Sequence, residues 1–170
     1  MDNKSDLRKK AKTIRKDLDI EFISKQITSK IINFEKFKKS QHIMLFYPLE
    51  NEINILDLLN QEGKTFYLPR INDVTLECCS FKKNDKLKDS VFKTKEPTTD
   101  SINPNILDLI FVPALMVDKN NYRLGYGKGY YDRFLEKTKA TTIIPIAKEL
   151  IIDKLPIEPH DKKVDYIITQ

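Results

Sequence analysis

Short, continuously apolar segments recur along the chain, and stretches with helical periodicity separate them. The clearest are HIMLFYP and DLIFVP, which both end in proline, and TIIPIA and VDYIIT nearer the carboxyl terminus. Apolar runs of this length without polar alternation are typical of strands that are buried on both faces of a parallel sheet. Their alternation with helices predicts an α/β fold with a mostly parallel sheet covered on both faces, and 170 residues suit one domain over 1–170.

Residues 4–39 show helical rather than strand periodicity. Two apolar stripes recur at helical spacing, namely Leu7, Ala11, Ile14 and Leu18, and then Ile20, Ile23, Ile27, Ile31 and Phe34. They predict two helices that break near residues 17–20 and bury one face each. INILDLLNQEG predicts another short helix with Gly63 as its C-terminal cap, and the polar, turn-rich residues 82–105 predict a loop with little regular structure.

The most unusual segment follows the second proline-terminated strand. Three of the four glycines alternate with other residues in RLGYGKGYYDRFL, residues 123–135, and Lys128 lies between the last two of them. Glycine permits left-handed backbone conformations, so successive N–H groups can converge on an anion beside the positive end of a helix that begins near Tyr130. Because the spacing fits neither a Walker A loop nor a Rossmann fingerprint, a glycine-rich connection whose tyrosines pack into the core remains an alternative to phosphate binding.

Two further features would suit a phosphate ligand. Asp132, in the first turn of the predicted helix, is placed either to hold Mg²⁺ with a nucleotide or to cap its own helix. Basic side chains also flank the buried stripe of the first helix, at Lys4, Arg8, Lys12 and Arg15. They would form either a phosphate clamp or an ordinary solvated surface.

The composition limits the classes of partner. A net charge of +5 and a pI near 9.0 favour anionic partners, either nucleic acid or a small molecule that carries phosphate or carboxylate. No apolar run approaches the roughly 20 residues that cross a bilayer, and MDNKSDLRKK lacks the apolar segment of a signal peptide. The only cysteines, Cys78 and Cys79, are adjacent, so we interpret them as strand residues rather than disulfide partners or metal ligands, and expect a reducing cytoplasm.

Together these segments resemble the 5-formyltetrahydrofolate cyclo-ligase family, also called methenyltetrahydrofolate synthetases. The family's signature looks like R-L-G-x-G-x-G-Y-Y-D-x-F/Y-L, which residues 123–135 reproduce. Other family blocks are similar, in the same order, to KSDLR, YPLENEIN, GKTFYLPR, the EP at 96–97, DLIFVPALMVD and LPIEPHDKKVDYIIT. The resemblance implies a three-layer α/β/α sandwich. It also implies ATP- and Mg²⁺-dependent conversion of 5-formyltetrahydrofolate to 5,10-methenyltetrahydrofolate with release of ADP and phosphate, through phosphorylation of the formyl oxygen and ring closure by N10.

The resemblance also implies roles for individual residues, with Lys128 and Arg123 as the catalytic pair. The nucleotide site would comprise Lys4, Arg8, Arg123, Gly125, Gly127, Lys128, Gly129, Tyr130 and Tyr131. The folate site would comprise Arg8, Tyr47, Glu52, Tyr130 and Tyr131. Asp132 and Asp161 would hold magnesium, and His160, which precedes Asp161 in the family motif too, is interpreted as structural.

Two positions depart from the family pattern, Ala114 where glycine often follows the core-strand proline and Leu150 where glutamine is frequent. Neither belongs to the phosphate loop or the metal carboxylates. We expect a monomer that acts on ATP and 5-formyltetrahydrofolate, including polyglutamylated forms, and not on nucleic acid or membranes. One alternative is another ATP-using ligase or kinase of small molecules on the same scaffold. The other is a basic nucleic-acid-binding module, although the sequence contains no RNA-recognition signature or zinc motif.

Overall fold

The computed structural model describes residues 2–170, which form four α-helices, twelve β-strands and three short 3-10 helices. The α-helices are α1 (Lys4–Lys16), α2 (Ile20–Ile32), α3 (Glu35–Lys39) and α4 (Tyr130–Leu135). The strands are β1 (His42–Met44), β2 (Thr65–Asn72), β3 (Thr75–Ser80), β4 (Leu87–Asp89), β5 (Lys95–Pro97), β6 (Ser101–Ile102), β7 (Leu109–Phe111), β8 (Met116–Asp118), β9 (Arg123–Leu124), β10 (Thr141–Pro145), β11 (Ile151–Ile152) and β12 (Tyr166–Ile168). The 3-10 helices are Leu56–Asn60, Pro104–Ile106 and Lys148–Leu150.

The two N-terminal helices break where the sequence predicts. The Asn3 side chain caps α1 by accepting a hydrogen bond from the Asp6 N–H, and Asp19 caps α2 by accepting one from the Phe22 N–H. Such caps satisfy N–H groups that have no partner inside the helix. The apolar stripes of both helices face the core, as predicted, but α1 also buries a charged residue, Arg15.

The main sheet has seven strands in the order β12-β10-β7-β1-β2-β3-β6. The five strands from β12 to β2 are parallel to one another, and β3 and β6 are antiparallel to their neighbours. At its centre Ile43 of β1 pairs with Phe66 of β2 and with Leu109 of β7. Helix α2 contacts β12 and α4 contacts β3, and the middle strands are almost fully buried. The mostly parallel α/β fold is therefore confirmed, and burial on both faces explains the continuously apolar strands.

The direction of the strand order reverses beside β1. After β1 the chain adds β2 on one side, whereas β7, β10 and β12 are added in turn on the other side. The carboxyl ends of β1 and β7 therefore lie at a topological switch point, where α/β sheets bind their ligands. The segments that leave these two ends carry YPLENE and PAL.

A second, three-stranded sheet of β11, β8 and β9 positions the glycine-rich segment. Val117 of β8 pairs with Arg123 of β9, so the segment begins at the end of a tight hairpin. The buried Asp118 carboxylate fixes that hairpin by accepting hydrogen bonds from the N–H groups of Asn120, Tyr122 and Leu155. The glycines consequently leave from a rigid base.

Residues 82–105 contain more regular structure than the sequence predicts. They include the antiparallel hairpin of β4 and β5, the strand β6 that pairs with β3, and the start of a 3-10 helix. These strands are two or three residues long, and β4 and β5 each contain an exposed lysine, so neither alternation nor apolar content marks them. Within INILDLLNQEG only Leu56–Asn60 form a helix, and it is of the 3-10 type. The prediction that Gly63 caps it is wrong, because the C-cap residue is Gln61, whose N–H bonds to the Leu58 carbonyl oxygen, and Gly63, with a φ of 75°, lies two residues further on.

Among residues 2–170, no helix combines the length and the apolar character that crossing a membrane requires.

Candidate active site

One cavity of about 660 Å³ opens at the carboxyl ends of β1 and β7. Its walls come from α1, the segment after β1, strand β2, the β4–β5 hairpin, the glycine loop and the segment before β12. It contains every residue that the sequence analysis assigns to nucleotide, folate or metal: Lys4, Arg8, Tyr47, Glu52, Arg123, Gly125, Gly127, Lys128, Gly129, Tyr130, Tyr131, Asp132 and Asp161. Residues that are distant in sequence thus share a single site.

The glycine loop, residues 125–129, uses its glycines for backbone conformation and for a close approach. Gly127 and Gly129 have φ values of 99° and 71°, which side-chain-bearing residues rarely adopt. A Cβ on Gly127 would lie 3.4 Å from the Arg8 guanidinium, and the Arg8 Nε donates a 2.9 Å hydrogen bond to the Gly125 carbonyl oxygen. The loop is therefore packed against α1, and its exposed residues face solvent and the cavity rather than the core.

Helix α4, which follows this loop, has only six residues. A helix of this length contributes little macrodipole, so positive charge at the site comes mainly from side chains. Lys128 is exposed at the cavity and, within residues 2–170, forms no ion pair in this structure. Its ammonium group is therefore available to a ligand.

Arg123 supplies a second, buried positive charge. Its Nη2 donates a 3.2 Å hydrogen bond to Asp132, its Nη1 bonds to the Pro113 carbonyl oxygen at 3.3 Å, and its guanidinium lies 5.6 Å from the centre of the Tyr131 ring. Burial lowers the pKa of Arg123, and the charge of Asp132 opposes that effect. The buried Nε has no partner in residues 2–170. Such an N–H group is costly unless an acceptor reaches it.

The two carboxylates that the sequence analysis assigns to metal, Asp132 and Asp161, have different partners. Asp132 pairs with Arg123, whereas Asp161 accepts hydrogen bonds of 2.8 Å from both Lys4 Nζ and the Glu158 N–H. Lys4 Nζ also lies 2.7 Å from Glu158. Burial raises the pKa of Asp161, but these hydrogen bonds outweigh it and lower the pKa overall. Burial likewise lowers the pKa of Lys4, and the same two carboxylates outweigh that effect and raise it.

A ligand set for a cation surrounds this lysine. One ligand atom from each of Glu158, His160 and Asp161 lies within 4.8 Å of the others. The sequence analysis assigns Asp161 to the metal site but not Glu158, which is three residues before it in LPIEPHDKK. In this structure the Lys4 ammonium group occupies the place between the two carboxylates.

Glu52 also lines the cavity and is almost fully buried. Its Oε1 accepts a hydrogen bond from the Leu49 N–H at 3.1 Å, and its Oε2 accepts one from the Tyr126 hydroxyl at 2.5 Å. Arg15 Nη1 lies 3.9 Å from the same Oε2. Burial raises the pKa of Glu52, and Tyr126 and Arg15 partly oppose the rise.

Two polar residues lie beside Glu52, namely Arg15 and Tyr126. The family resemblance implies no role for either of them. The phosphate clamp suggested for the basic side chains of α1 does not extend to Arg15, which bonds to the Ala114 carbonyl oxygen and the Tyr126 hydroxyl. A signal existed, because Leu7, Ala11 and Arg15 follow i, i+4, i+8 spacing and so share one helix face.

Aromatic and hairpin residues complete the walls. Tyr130 lies edge-on to Phe92 with ring centres 5.9 Å apart, and its hydroxyl donates a hydrogen bond to the Asp73 carbonyl oxygen. Thr94 donates a hydrogen bond to the Tyr47 carbonyl oxygen, which ties the β4–β5 hairpin to the segment after β1. The region that the sequence predicts to be a loop therefore forms one side of the cavity.

Neither departure from the family pattern obstructs this cavity. Ala114 is buried, and its carbonyl oxygen binds Arg15. Leu150 is 1% exposed and packs into the hydrophobic core. His160 is exposed at the cavity rim, beside Glu158 and Asp161.

Comparisons with known proteins agree with the geometry. The profile of the 5-formyltetrahydrofolate cyclo-ligase family matches residues 1–170. A Mycoplasma genitalium protein of that name is 31% identical over 158 residues, which cover 89% of this chain and 87% of its own. The mouse protein of the same name is 28% identical over 161 residues, covering 84% of this chain and 79% of its own.

Two solved structures have the same fold. The NMR structure of Aquifex aeolicus 5,10-methenyltetrahydrofolate synthetase aligns with a TM-score of 0.85 at 29% identity, covering 97% of this chain and 88% of that one. The Mycoplasma pneumoniae 5,10-methenyltetrahydrofolate synthetase aligns with a TM-score of 0.80 at 24% identity, covering 99% of each chain. With a family match over the whole sequence, the protein belongs to the 5-formyltetrahydrofolate cyclo-ligase family.

Proposed function

We propose that this protein converts 5-formyltetrahydrofolate to 5,10-methenyltetrahydrofolate, consuming ATP and releasing ADP and phosphate. The observation that carries the proposal is the single cavity that joins the glycine loop to Glu52 and the tyrosines. The lining of that cavity combines several positive charges with aromatic rings and a buried carboxylate. A nucleotide and a pterin together need such a combination.

The positive side chains of the cavity suit the ATP phosphates. These side chains are Lys128, Arg8 and Arg123, and the glycine loop adds backbone N–H groups that no Cβ screens. Arg123 lines the same cavity, and Asp132 and the Pro113 carbonyl oxygen hold its guanidinium in place. We assign Lys128 and Arg123 to the transferred phosphoryl group, where fixed positive charge stabilises the transition state.

The carboxylates suit magnesium. Mg²⁺ prefers oxygen ligands and is usually held by one or two carboxylates together with substrate phosphates and waters. Asp161 and Glu158 already hold a cation between them, the Lys4 ammonium group, and Asp132 lines the same cavity beside Arg123. We assign Asp132 and Asp161 to the metal, which would neutralise phosphate charge, and assign Lys4 to the phosphates once it leaves the carboxylates.

The tyrosines and the buried carboxylate of Glu52 suit the pterin. Tyr47, Tyr130 and Tyr131 offer flat faces for stacking, and an ionised Glu52 can accept hydrogen bonds from the ring N–H and amino groups. A buried carboxylate is costly unless it is paired, so a ligand that donates two hydrogen bonds to it gains selectivity over one that cannot.

This arrangement matches the bond changes of the reaction. The formyl oxygen attacks the γ-phosphorus of ATP and forms a P–O bond, while the bond to the departing ADP breaks. N10 then attacks the activated formyl carbon, loses its proton, and expels phosphate as the C–O bond breaks. No step needs a nucleophilic side chain; the protein positions the reactants, stabilises phosphoryl charge and excludes water.

The proposal extends to the setting of the enzyme. We propose that residues 1–170 act as one domain and one monomer in the cytoplasm, on small molecules rather than nucleic acid. Among the described residues the two cysteines are free and buried, which suits a reducing compartment. Sedimentation velocity at micromolar concentration tests the monomer, and a dimer would contradict it.

A spectrophotometric assay tests the reaction. Protein, ATP, Mg²⁺ and 5-formyltetrahydrofolate should together generate the absorbance of the methenyl product, and omission of any one component should abolish it. If ATP is hydrolysed with another carboxylated substrate but not with 5-formyltetrahydrofolate, the alternative of a different small-molecule ligase or kinase replaces this proposal. Absence of methenyl product at high enzyme concentration would contradict it.

A further inference from the structure

Three side chains form a hydrogen-bonded chain that runs from α1 through the glycine loop to Glu52. Arg15 of α1 donates to the Tyr126 hydroxyl at 2.9 Å, and that hydroxyl donates to Glu52 at 2.5 Å. Arg15 is itself fixed by a short hydrogen bond to the Ala114 carbonyl oxygen, and the side chains of Arg15 and Glu52 are only 6% and 4% exposed. The two ends of the chain therefore belong to the buried structure, whereas Tyr126 between them is 38% exposed.

Tyr126 links the glycine loop to Glu52. Its backbone lies between Gly125 and Gly127, both of which contact or closely approach Arg8. Its hydroxyl, in contrast, reaches the carboxylate that we assign to the pterin. Displacement of the glycine loop would therefore remove a hydrogen bond from Glu52, and disorder of Glu52 would release the loop side chain.

The chemical state of Glu52 depends on these partners. A buried carboxyl group tends to keep its proton, and a protonated Glu52 could no longer accept two hydrogen bonds from the pterin. The charged or titratable groups that act on it are Arg15 from α1, Tyr126 from the glycine loop and Tyr131 from α4. Of these, Arg15 and Tyr126 favour the ionised form, through charge and through a donated hydrogen bond.

We propose, on the basis of the function proposed above, that Tyr126 is a positioning residue that fixes Glu52 as an ionised acceptor for the pterin, with Arg15 holding Tyr126 in place. Tyr126 does not touch the reacting atoms in this role. It selects folates whose ring presents N–H donors and makes the folate site depend on an ordered nucleotide loop.

Tyr126→Phe removes only the hydroxyl group, so it leaves the ring and the loop backbone in place. Loss of a hydrogen bond to a charged group should raise the KM for 5-formyltetrahydrofolate by about 10- to 100-fold, with kcat changed by less than about 3-fold. Because a higher pKa of Glu52 follows, the folate KM of the variant should rise with falling pH from a higher pH than in the wild type. Tyr166→Phe, on the edge strand β12, is the matched control and should match the wild type.

A double-mutant cycle with Glu52→Gln separates positioning from general structural support. If Tyr126 acts through Glu52, Tyr126→Phe should change the folate KM by less than about 3-fold in the Glu52→Gln background. An equal effect in both backgrounds, or an unchanged folate KM in an active Tyr126→Phe enzyme, would overturn the inference. Arg15→Lys, which keeps the charge but loses the planar fork, should reproduce the Tyr126→Phe pH profile.

Assaying the wild-type protein beside the variant separates the role of Tyr126 from the proposed function. Methenyl product from the wild type with an unaltered Tyr126→Phe variant overturns the role of Tyr126 alone. A wild-type protein that makes no methenyl product overturns the proposed function, and this inference with it.

Discussion

The Arg8 Nε donates a 2.9 Å hydrogen bond to the carbonyl oxygen of Gly125, joining the first helix of the chain to a loop 117 positions away. The guanidinium also lies only 3.4 Å from the position that a Cβ on Gly127 would take. This contact makes the conformation of the loop depend on α1, and it places the Arg8 charge beside the loop that we assign to phosphate.

Gly127→Ala should therefore damage both stability and nucleotide use. The φ of 99° disfavours any side chain, and the added Cβ would lie 3.4 Å from Arg8. We expect a loss of about 1–2 kcal/mol in the free energy of unfolding and a KM for ATP raised by about tenfold or more. Gly63→Ala is the matched control, because Gly63 also has a positive φ, of 75°, but has nothing within 4 Å of an added Cβ. It should lose stability alone; an ATP KM that is equally raised in both variants would contradict the account.

Lys128→Ala should reduce turnover more than it reduces folate affinity. Lys128 lies exposed in the cavity, so its charge is available to the phosphoryl group as that group is transferred. Removing one such charge should lower kcat by about 100-fold and leave the folate KM within about 3-fold. Steady-state kinetics check this, with Lys139→Ala as an exposed lysine outside the cavity. Equal losses in kcat and folate affinity would indicate that Lys128 serves the structure of the site.

Asp132→Asn should shift the magnesium titration of activity. The substitution preserves shape but removes the charge that we assign to the metal, so the Mg²⁺ concentration for half-maximal rate should rise by roughly tenfold or more. Asp153→Asn, which loses a surface pair with Lys119, is the control. If the rate falls while the magnesium titration stays unchanged, Asp132 acts only by pairing with Arg123.

Glu52→Gln should change how stability depends on pH. Burial raises the pKa of Glu52 above its ordinary value of 4.5, so the folded protein binds this proton more tightly than the unfolded chain. Above pH 4.5 and up to the folded pKa, the contribution of Glu52 to stability therefore falls as pH rises. The variant cannot titrate, so its Tm minus that of the wild type should increase as pH rises above 4.5 and should level off once the folded pKa is passed.

Thermal melts across this pH range measure the difference directly. Glu62→Gln, at an exposed position outside the active-site cavity, controls for the loss of a carboxylate in general. A difference between Glu52→Gln and wild type that stays constant with pH would mean that Glu52 has no raised pKa.

The predictable parts of this molecule carry local signals. Continuous apolar runs mark β1, β7, β10 and β12, a break in helical periodicity marks the end of α1, and the glycine spacing marks the loop. The placement of the site follows from the rule that α/β sheets bind ligands at the carboxyl ends of their strands. The residues for folate, by contrast, were reached through the family resemblance.

The parts that the sequence could not predict depend on long-range contacts. The β4–β5 hairpin is held together by pairing between short polar strands. It lines the cavity because Phe92 packs against Tyr130 and Thr94 bonds to the Tyr47 carbonyl oxygen. Helical spacing places Arg15 on the buried face of α1, but nothing in the sequence shows that its partners there are Ala114, Tyr126 and Glu52. Lys4 and Asp161 are each expected at the site, but no local pattern predicts that they pair.

The fate of the formyl oxygen tests the central claim most directly. With 5-formyltetrahydrofolate labelled with ¹⁸O in its formyl group, transfer of the γ-phosphoryl group to that oxygen requires the released phosphate to carry one ¹⁸O atom. Mass spectrometry of the phosphate, after a single turnover in unlabelled water, should detect the label in amounts equal to the methenyl product. Unlabelled phosphate, with the ¹⁸O found in water, would contradict phosphorylation of the formyl oxygen in this cavity.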